Sequence, residues 1–159
     1  MFAHKYIRHL ELPTQIFLGV LLVFASIAGA KSVKHFSTSH QITERDIHQL
    51  LSATILSPTA FNIQNWSFVI ILDPALRSQI RAHGWEQPQI TDASLLIALC
   101  ADLKAWDKSQ ECYWSHAPKN IQQMMVPSID LYYRCKPQIQ WDEALRSCGI
   151  AAQSLMLTA

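Results

Sequence analysis

Two short runs, the aromatic and β-branched Trp66 to Leu72 and the apolar Ala93 to Cys100, constrain this chain most. Each is too short for an ordinary helix and too apolar for a loop, so each reads as a buried strand. Between them Asp73-Pro74 opens a helical stretch that runs to His83, with Pro74 at the favoured first position of a helix. Strand, helix, strand is the pattern of a crossover unit and predicts a partly parallel sheet in an α/β or α+β chain. At 159 residues there is room for one core and a short appendage.

Helices account for most of the remainder. Thr43 is placed to cap a helix with Glu44 and Asp46 in its first turn, and Ile47, Leu50, Leu51 and Ile55 share one face. That helix is expected to stop near Ser57, because Pro58 disfavours helical geometry in its predecessor. The pattern is helical again from Ala117 to Tyr133, where Pro127 is expected to kink or split it. From Trp141 to Ala159 a third helix carries the small residues Ala144, Ser147, Cys148, Ala151 and Ala152, which permit close approach of a neighbour. It reaches the last residue with no glycine cap or proline stop. Two strands are fewer than a sheet ordinarily has, so further strands are expected beyond Ala159 or from another chain.

Thirteen basic against twelve acidic side chains leave no charge excess for a polyanion, which argues against nucleic-acid binding. The charges are unevenly spread: residues 1–30 hold only Lys5, Arg8 and Glu11, and the nineteen residues from Leu12 to Ala30 hold none. As a helix that stretch would span roughly 28 Å, close to a hydrocarbon core of about 30 Å. It reads as a membrane anchor through residues 12–30, a signal sequence, or a buried first helix. Lys5 and Arg8 precede it and Lys31 and Lys34 follow, so flanking charge fixes no orientation. A boundary at residues 30 and 31 follows, with the protein cytoplasmic or membrane-associated.

No hydrolase, dinucleotide-binding, phosphate-loop or zinc-protease signature occurs, so no catalytic nucleophile and no metal site is assigned. Cys100, Cys112, Cys135 and Cys148 lack metal spacing and read as buried or idle thiols of a reducing compartment.

The informative stretch is Ser57-Pro-Thr-Ala-Phe-Asn-Ile-Gln-Asn-Trp66, a loop of amides and hydroxyls before a strand. It resembles the (A/S)PSxxNxQPW loop of the FMN-dependent nitroreductase family. Lys31-Ser-Val-Lys-His-Phe36 is similar to that family's RRSxRxF segment, Gln87-Pro-Gln-Ile-Thr-Asp-Ala-Ser94 to its third signature, and Asp142 to Leu157 to its long core helix. The resemblance implies a three-layer fold with a central sheet flanked by helices, of which residues 31–159 form the N-terminal portion, incomplete at the C-terminus. It implies a homodimer with FMN at the interface. Hydride would pass from NADH or NADPH to the flavin, and electrons onward to a nitroaromatic, quinone or similar acceptor by a ping-pong mechanism.

Carried over by position, Lys31, Ser32 and Lys34 would contact FMN phosphate, ribityl or ring, while Pro58, Thr59, Ala60 and Asn62 of the second subunit would close over the isoalloxazine. Gln87 is the expected contact from the third signature. The competing reading gives Lys31 and Lys34 to a membrane flank, and lets Asn62 and Gln64 merely satisfy loop backbone groups, Gln64 more so. Trp66 is assigned to the core. Ala30 stands where the family has its first arginine, Asn65 replaces the proline before Trp66 and is expected to loosen the loop, and Glu86 stands where an asparagine often faces the flavin. The family continues past Ala159 through completing strands and a basic segment, so the alternative function is an inactive truncated remnant or a membrane-anchored non-catalytic protein.

Overall fold

The computed structural model describes residues 26–159. They fall into two units, the chain dividing between Ser32 and Val33. In the first, residues 26–29 form one helical turn, closed by the Ala30 amide donating to the Ser26 carbonyl at 3.0 Å. Among the described residues no helix is long and apolar enough to cross a membrane. Most of the apolar run expected to act as anchor or signal, residues 12–25, lies outside the described residues.

The second unit begins with α1, Glu44–Thr54. Its start is the expected one: the Thr43 hydroxyl accepts from the Asp46 amide and the Asp46 carboxylate accepts from the Thr43 amide, both at 3.2 Å. These bonds to Thr43 hold the Asp46 carboxyl below the usual aspartate range. The helix ends three residues before Ser57, with the Thr54 hydroxyl bonded to the Leu50 carbonyl at 2.8 Å. Strand β1, Trp66–Ile70, is followed by α2, Pro74–His83, capped by the Asp73 carboxylate on the Ala75 amide at 2.9 Å. A single-turn helix α3, Gln89–Asp92, precedes β2, Ile97–Ala101.

The two strands pair antiparallel, Trp66 opposite Ala101 and Ile70 opposite Ile97, which corrects the expectation of a partly parallel sheet. The cause is the path between them. Helices α2 and α3 pack on each other, so the chain re-enters the sheet at the end it left, where the Ile71 amide donates to the Leu96 carbonyl at 2.9 Å. The excursion is a long hairpin with a helical insert rather than a crossover. Nor are the strands buried throughout. Trp66 is buried, as assigned, but Val69 is 48% exposed and Leu72, beyond the strand, is 73% exposed.

After β2 come two 3-10 turns that no periodicity announced, Ala105–Asp107 and Gln110–Trp114. Helix α4, Lys119–Tyr133, then runs unbroken through Pro127. Pro127 lies on the exposed side with Gln123, whose carbonyl loses its helical donor, so water can take that bond and no split results. Helix α5, Pro137–Thr158, begins earlier than expected, with Pro137 in its first turn. Its small residues serve as predicted: Ala144, Ser147 and Ala151 are buried, and the helix packs on α1, α4 and both strands.

The apolar core gathers Ile63, Ala105, Trp106, Ile129 and Tyr133, so the loop before β1, the turn after β2 and α4 share one interior. Of the four cysteines, read as buried or idle, none is buried. Cys100, Cys112 and Cys135 are exposed and Cys148 is half-buried; none is paired in a disulfide. Partial burial pushes the Cys148 thiol up.

Candidate functional site

The 57–65 loop is built from a strained backbone held by buried anchors. Phe61, Asn62 and Gln64 adopt φ values of 55°, 58° and 54°, the left-handed region that side chains other than glycine avoid. Each such residue costs on the order of 1 kcal/mol. The turn Ala60–Asn62 is closed by the Asn62 amide on the Thr59 carbonyl at 3.0 Å and the Ile63 amide on the Ala60 carbonyl at 3.3 Å. The Gln64 amide donates to the Thr59 hydroxyl at 3.0 Å.

The offsetting contacts lie beneath it. Ile63 is 1% exposed in the core, and the Phe61 ring sits 5.4 Å from Tyr132 and 6.2 Å from Tyr133. At the loop's two ends, polar groups bind α5. The Ser57 hydroxyl donates to Ser154 at 2.7 Å, and the Ser147 hydroxyl donates to the Asn65 side chain at 3.3 Å. The Asn65 carbonyl accepts from the Asp102 amide at 2.9 Å, tying the loop to the end of β2. Asn65 is 1% exposed, so it does not loosen the loop as expected of a residue replacing proline. It is a buried anchor, one hydrogen-bonding group of which, Nδ2, has no partner.

Of the residues singled out in the sequence, Pro58, Thr59, Ala60 and Asn62 therefore lie together on one short turn. Pro58 and Asn62 are exposed, and Thr59 and Ala60 half-buried. The Asn62 Nδ2 donates to the Tyr113 carbonyl at 3.3 Å, and the Gln64 Nε2 donates to the Asn62 Oδ1 at 3.5 Å. Gln64, the more structural of the two amides in the competing reading, is exposed, and its side chain makes only that long bond.

Gln87 sits elsewhere, in the turn from α2 to α3. Its amide donates to the Gly84 carbonyl at 3.2 Å and its carbonyl accepts from the Ile90 amide at 3.2 Å, while the residue is exposed. The turn is also strained, with φ 52° at both Trp85 and Glu86. Glu86 is drawn back toward α2, its carboxylate 3.3 Å from the Arg81 guanidinium, and Arg77 donates to the carbonyls of Ile90, at 2.8 Å, and Ala93. Lys34 is exposed and belongs to the same unit as both turns; Lys31 and Ser32 are exposed and belong to the other.

Beside the foot of the loop a cavity of about 460 Å³ opens, lined by Ser67, Cys100, Asp102, Lys104 and Lys108. Lys108 donates to the Asp102 carboxylate at 2.5 Å, which holds that carboxyl below its usual range. Sequence reasoning did not reach the anchors of the loop. The available signal was the hydroxyl pair Ser147 and Ser154, two helical turns apart on α5 and so on one face.

The sequence profile of the Nitroreductase family matches residues 27–159. Protein DrgA of Synechocystis is 48% identical over 136 residues, covering 86% of this chain and 65% of DrgA. YodC of Bacillus subtilis, which carries the provisional name NAD(P)H nitroreductase, is 28% identical over 133 residues, covering 80% of this chain and 65% of YodC. The chain thus spans about 65% of the length of each. Among solved structures, a protein of Exiguobacterium sibiricum in complex with FMN has a TM-score of 0.75 at 23% identity, over 86% of this chain and 68% of that one. The nitroreductase family protein of Streptococcus pneumoniae has a TM-score of 0.66 at 19% identity, over 89% and 70%. At these identities the structures establish the fold, a nitroreductase-like α+β arrangement. The profile, matched over residues 27–159, establishes more: this chain is a member of the Nitroreductase family.

Proposed function

We propose that the chain carries the FMN-facing part of an oxidoreductase that passes electrons from NADH or NADPH to nitroaromatic, quinone or similar acceptors by a ping-pong mechanism. The observation that carries the reading is the 57–65 loop, a strained turn over-determined by buried anchors that presents Pro58, Asn62 and Gln64 to solvent. Strain of this kind persists where the surroundings enforce it, and it clusters at ligand clamps. The donor set fits a flavin. Pro58 offers an apolar surface to a planar ring, the Asn62 Nδ2 retains a second hydrogen, and the Thr59 hydroxyl, which accepts from Gln64, retains its own.

FMN, when bound, supplies the hydride-accepting and electron-donating chemistry. The chain's part is binding and orientation. Pro58, Thr59, Ala60 and Asn62 close on the ring from a second subunit, and Gln87 adds an amide. Lys31, Ser32 and Lys34 would contact the phosphate, ribityl chain or ring, a lysine ammonium offsetting negative charge on the reduced flavin. Glu86, paired with Arg81, is kept from opposing it. In this reading the protein is a homodimer of the cytoplasm, where unpaired thiols persist.

The test is anaerobic addition of NADH or NADPH to the chain loaded with FMN, followed by a quinone. Bleaching of the flavin band by the nicotinamide and its return with the quinone is expected. A band unchanged by either nicotinamide contradicts the proposal.

A further inference from the structure

We propose that Phe61 is a positioning residue for Asn62, setting the amide that the turn offers to a ligand. The inference rests on the reading of this turn as an FMN contact. Asn62 is exposed and left-handed, and both of its chain neighbours are anchored inward: Ile63 is buried in the core, and the Phe61 ring packs on Tyr132 and Tyr133. The anchors are themselves held. Tyr132 and Tyr133 meet edge to face at 5.0 Å, and Tyr133 stacks on Trp106 at 6.0 Å. The Tyr132 hydroxyl donates to the Glu143 carboxylate at 2.9 Å, and Glu143, buried on α5, is ion-paired with Arg146.

A line of contacts therefore runs from α5 through Glu143, Tyr132 and Phe61 to the backbone of Asn62. On the other side the Asn62 Nδ2 is tethered to the Tyr113 carbonyl, and the Tyr113 hydroxyl donates to the Ala105 carbonyl at 3.0 Å, next to Trp106 in the same core. Loss of the Phe61 ring removes the contact that keeps φ positive at residue 61, and the turn relaxes toward conformations that aim the Asn62 amide elsewhere. Phe61 touches no reacting group; it acts through its neighbour.

A double-mutant cycle on FMN affinity, read by quenching of flavin fluorescence, isolates this action. Phe61→Leu and Asn62→Ala are each expected to weaken binding about tenfold, and the pair together about tenfold as well, because one acts through the other. Phe61→Tyr, which keeps a ring against Tyr132 and Tyr133, should restore wild-type affinity and the visible circular dichroism of bound FMN. Should Phe61→Leu fail to fold, Tyr132→Phe takes its place in the cycle, with about threefold weakening that vanishes beside Asn62→Ala. Multiplying effects, about a hundredfold for the Phe61 pair, or an unchanged affinity in Phe61→Leu, overturn the inference while the FMN reading stands. A wild-type chain that binds no FMN removes both.

Discussion

Two turns of this chain adopt the same left-handed backbone and secure it by different means. At residues 61, 62 and 64 the left-handed conformation is bracketed by rings and an isoleucine in the core; at residues 85 and 86 it sits in a turn closed by backbone bonds, the Glu86 amide to the Arg81 carbonyl at 3.1 Å and the Gln87 amide to the Gly84 carbonyl at 3.2 Å. In the first, burial of apolar area does the holding, which is insensitive to salt and sensitive to side-chain shape. In the second, local backbone bonds do the holding, with the Arg81–Glu86 ion pair at 3.3 Å beside them, and the Trp85 indole is 91% exposed. The lesson is that positive φ alone does not mark a functional turn; what distinguishes the loop at 57–65 is that strain, core anchoring and exposed amides coincide.

The core-anchored turn is most vulnerable at Ile63. Ile63→Ala should cost about 3 kcal/mol in urea unfolding, because it opens a cavity among Ala105, Trp106, Ile129 and Tyr133 and frees the turn. An unchanged midpoint would mean that the core does not hold the loop. Arg77→Met tests the segment that follows the other turn: with the carbonyls of Ile90 and Ala93 left without their charged donor, a loss of about 2 kcal/mol is expected. Trp85→Gly should go the opposite way, stabilising by roughly 0.5 kcal/mol, since glycine adopts positive φ without steric cost and little contact is lost. Destabilisation there would show that the indole packs against something.

The smallest effect concerns the foot of the loop. Lys108 holds the Asp102 carboxyl below its usual range in the folded chain, so the unfolded chain takes up the proton first. The stability this contributes is present above the ordinary aspartate value of about 4 and is lost as pH falls through the folded one. The gap between wild type and Asp102→Asn in urea midpoint should therefore narrow on going from neutral pH to below that range; a constant gap would assign the effect to packing.

Legibility in the sequence followed the range of the interactions. Thr43 and the Asp73-Pro74 pair mark helix starts by local hydrogen bonds, and both starts stand where those residues place them. The direction of β2 was not readable, because it depends on α2 and α3 folding back on each other. Residues 101–117 carry no period that announces two 3-10 turns. At the site, the loop was legible through its amides and its resemblance to a family, and Pro58, Thr59, Ala60 and Asn62 do share one turn. Its strain was not, since Phe61 gives no local sign of positive φ. Asn65 was misjudged for a physical reason: its partners, Ser147 and Asp102, are distant in sequence and only the tertiary fold brings them to it.

Whether this loop is shaped for a flavin is decided by titrating FMN with the purified chain and following flavin fluorescence. Saturable quenching that Asn62→Ala weakens is the predicted result. Fluorescence that stays at the level of free FMN throughout the titration would contradict it.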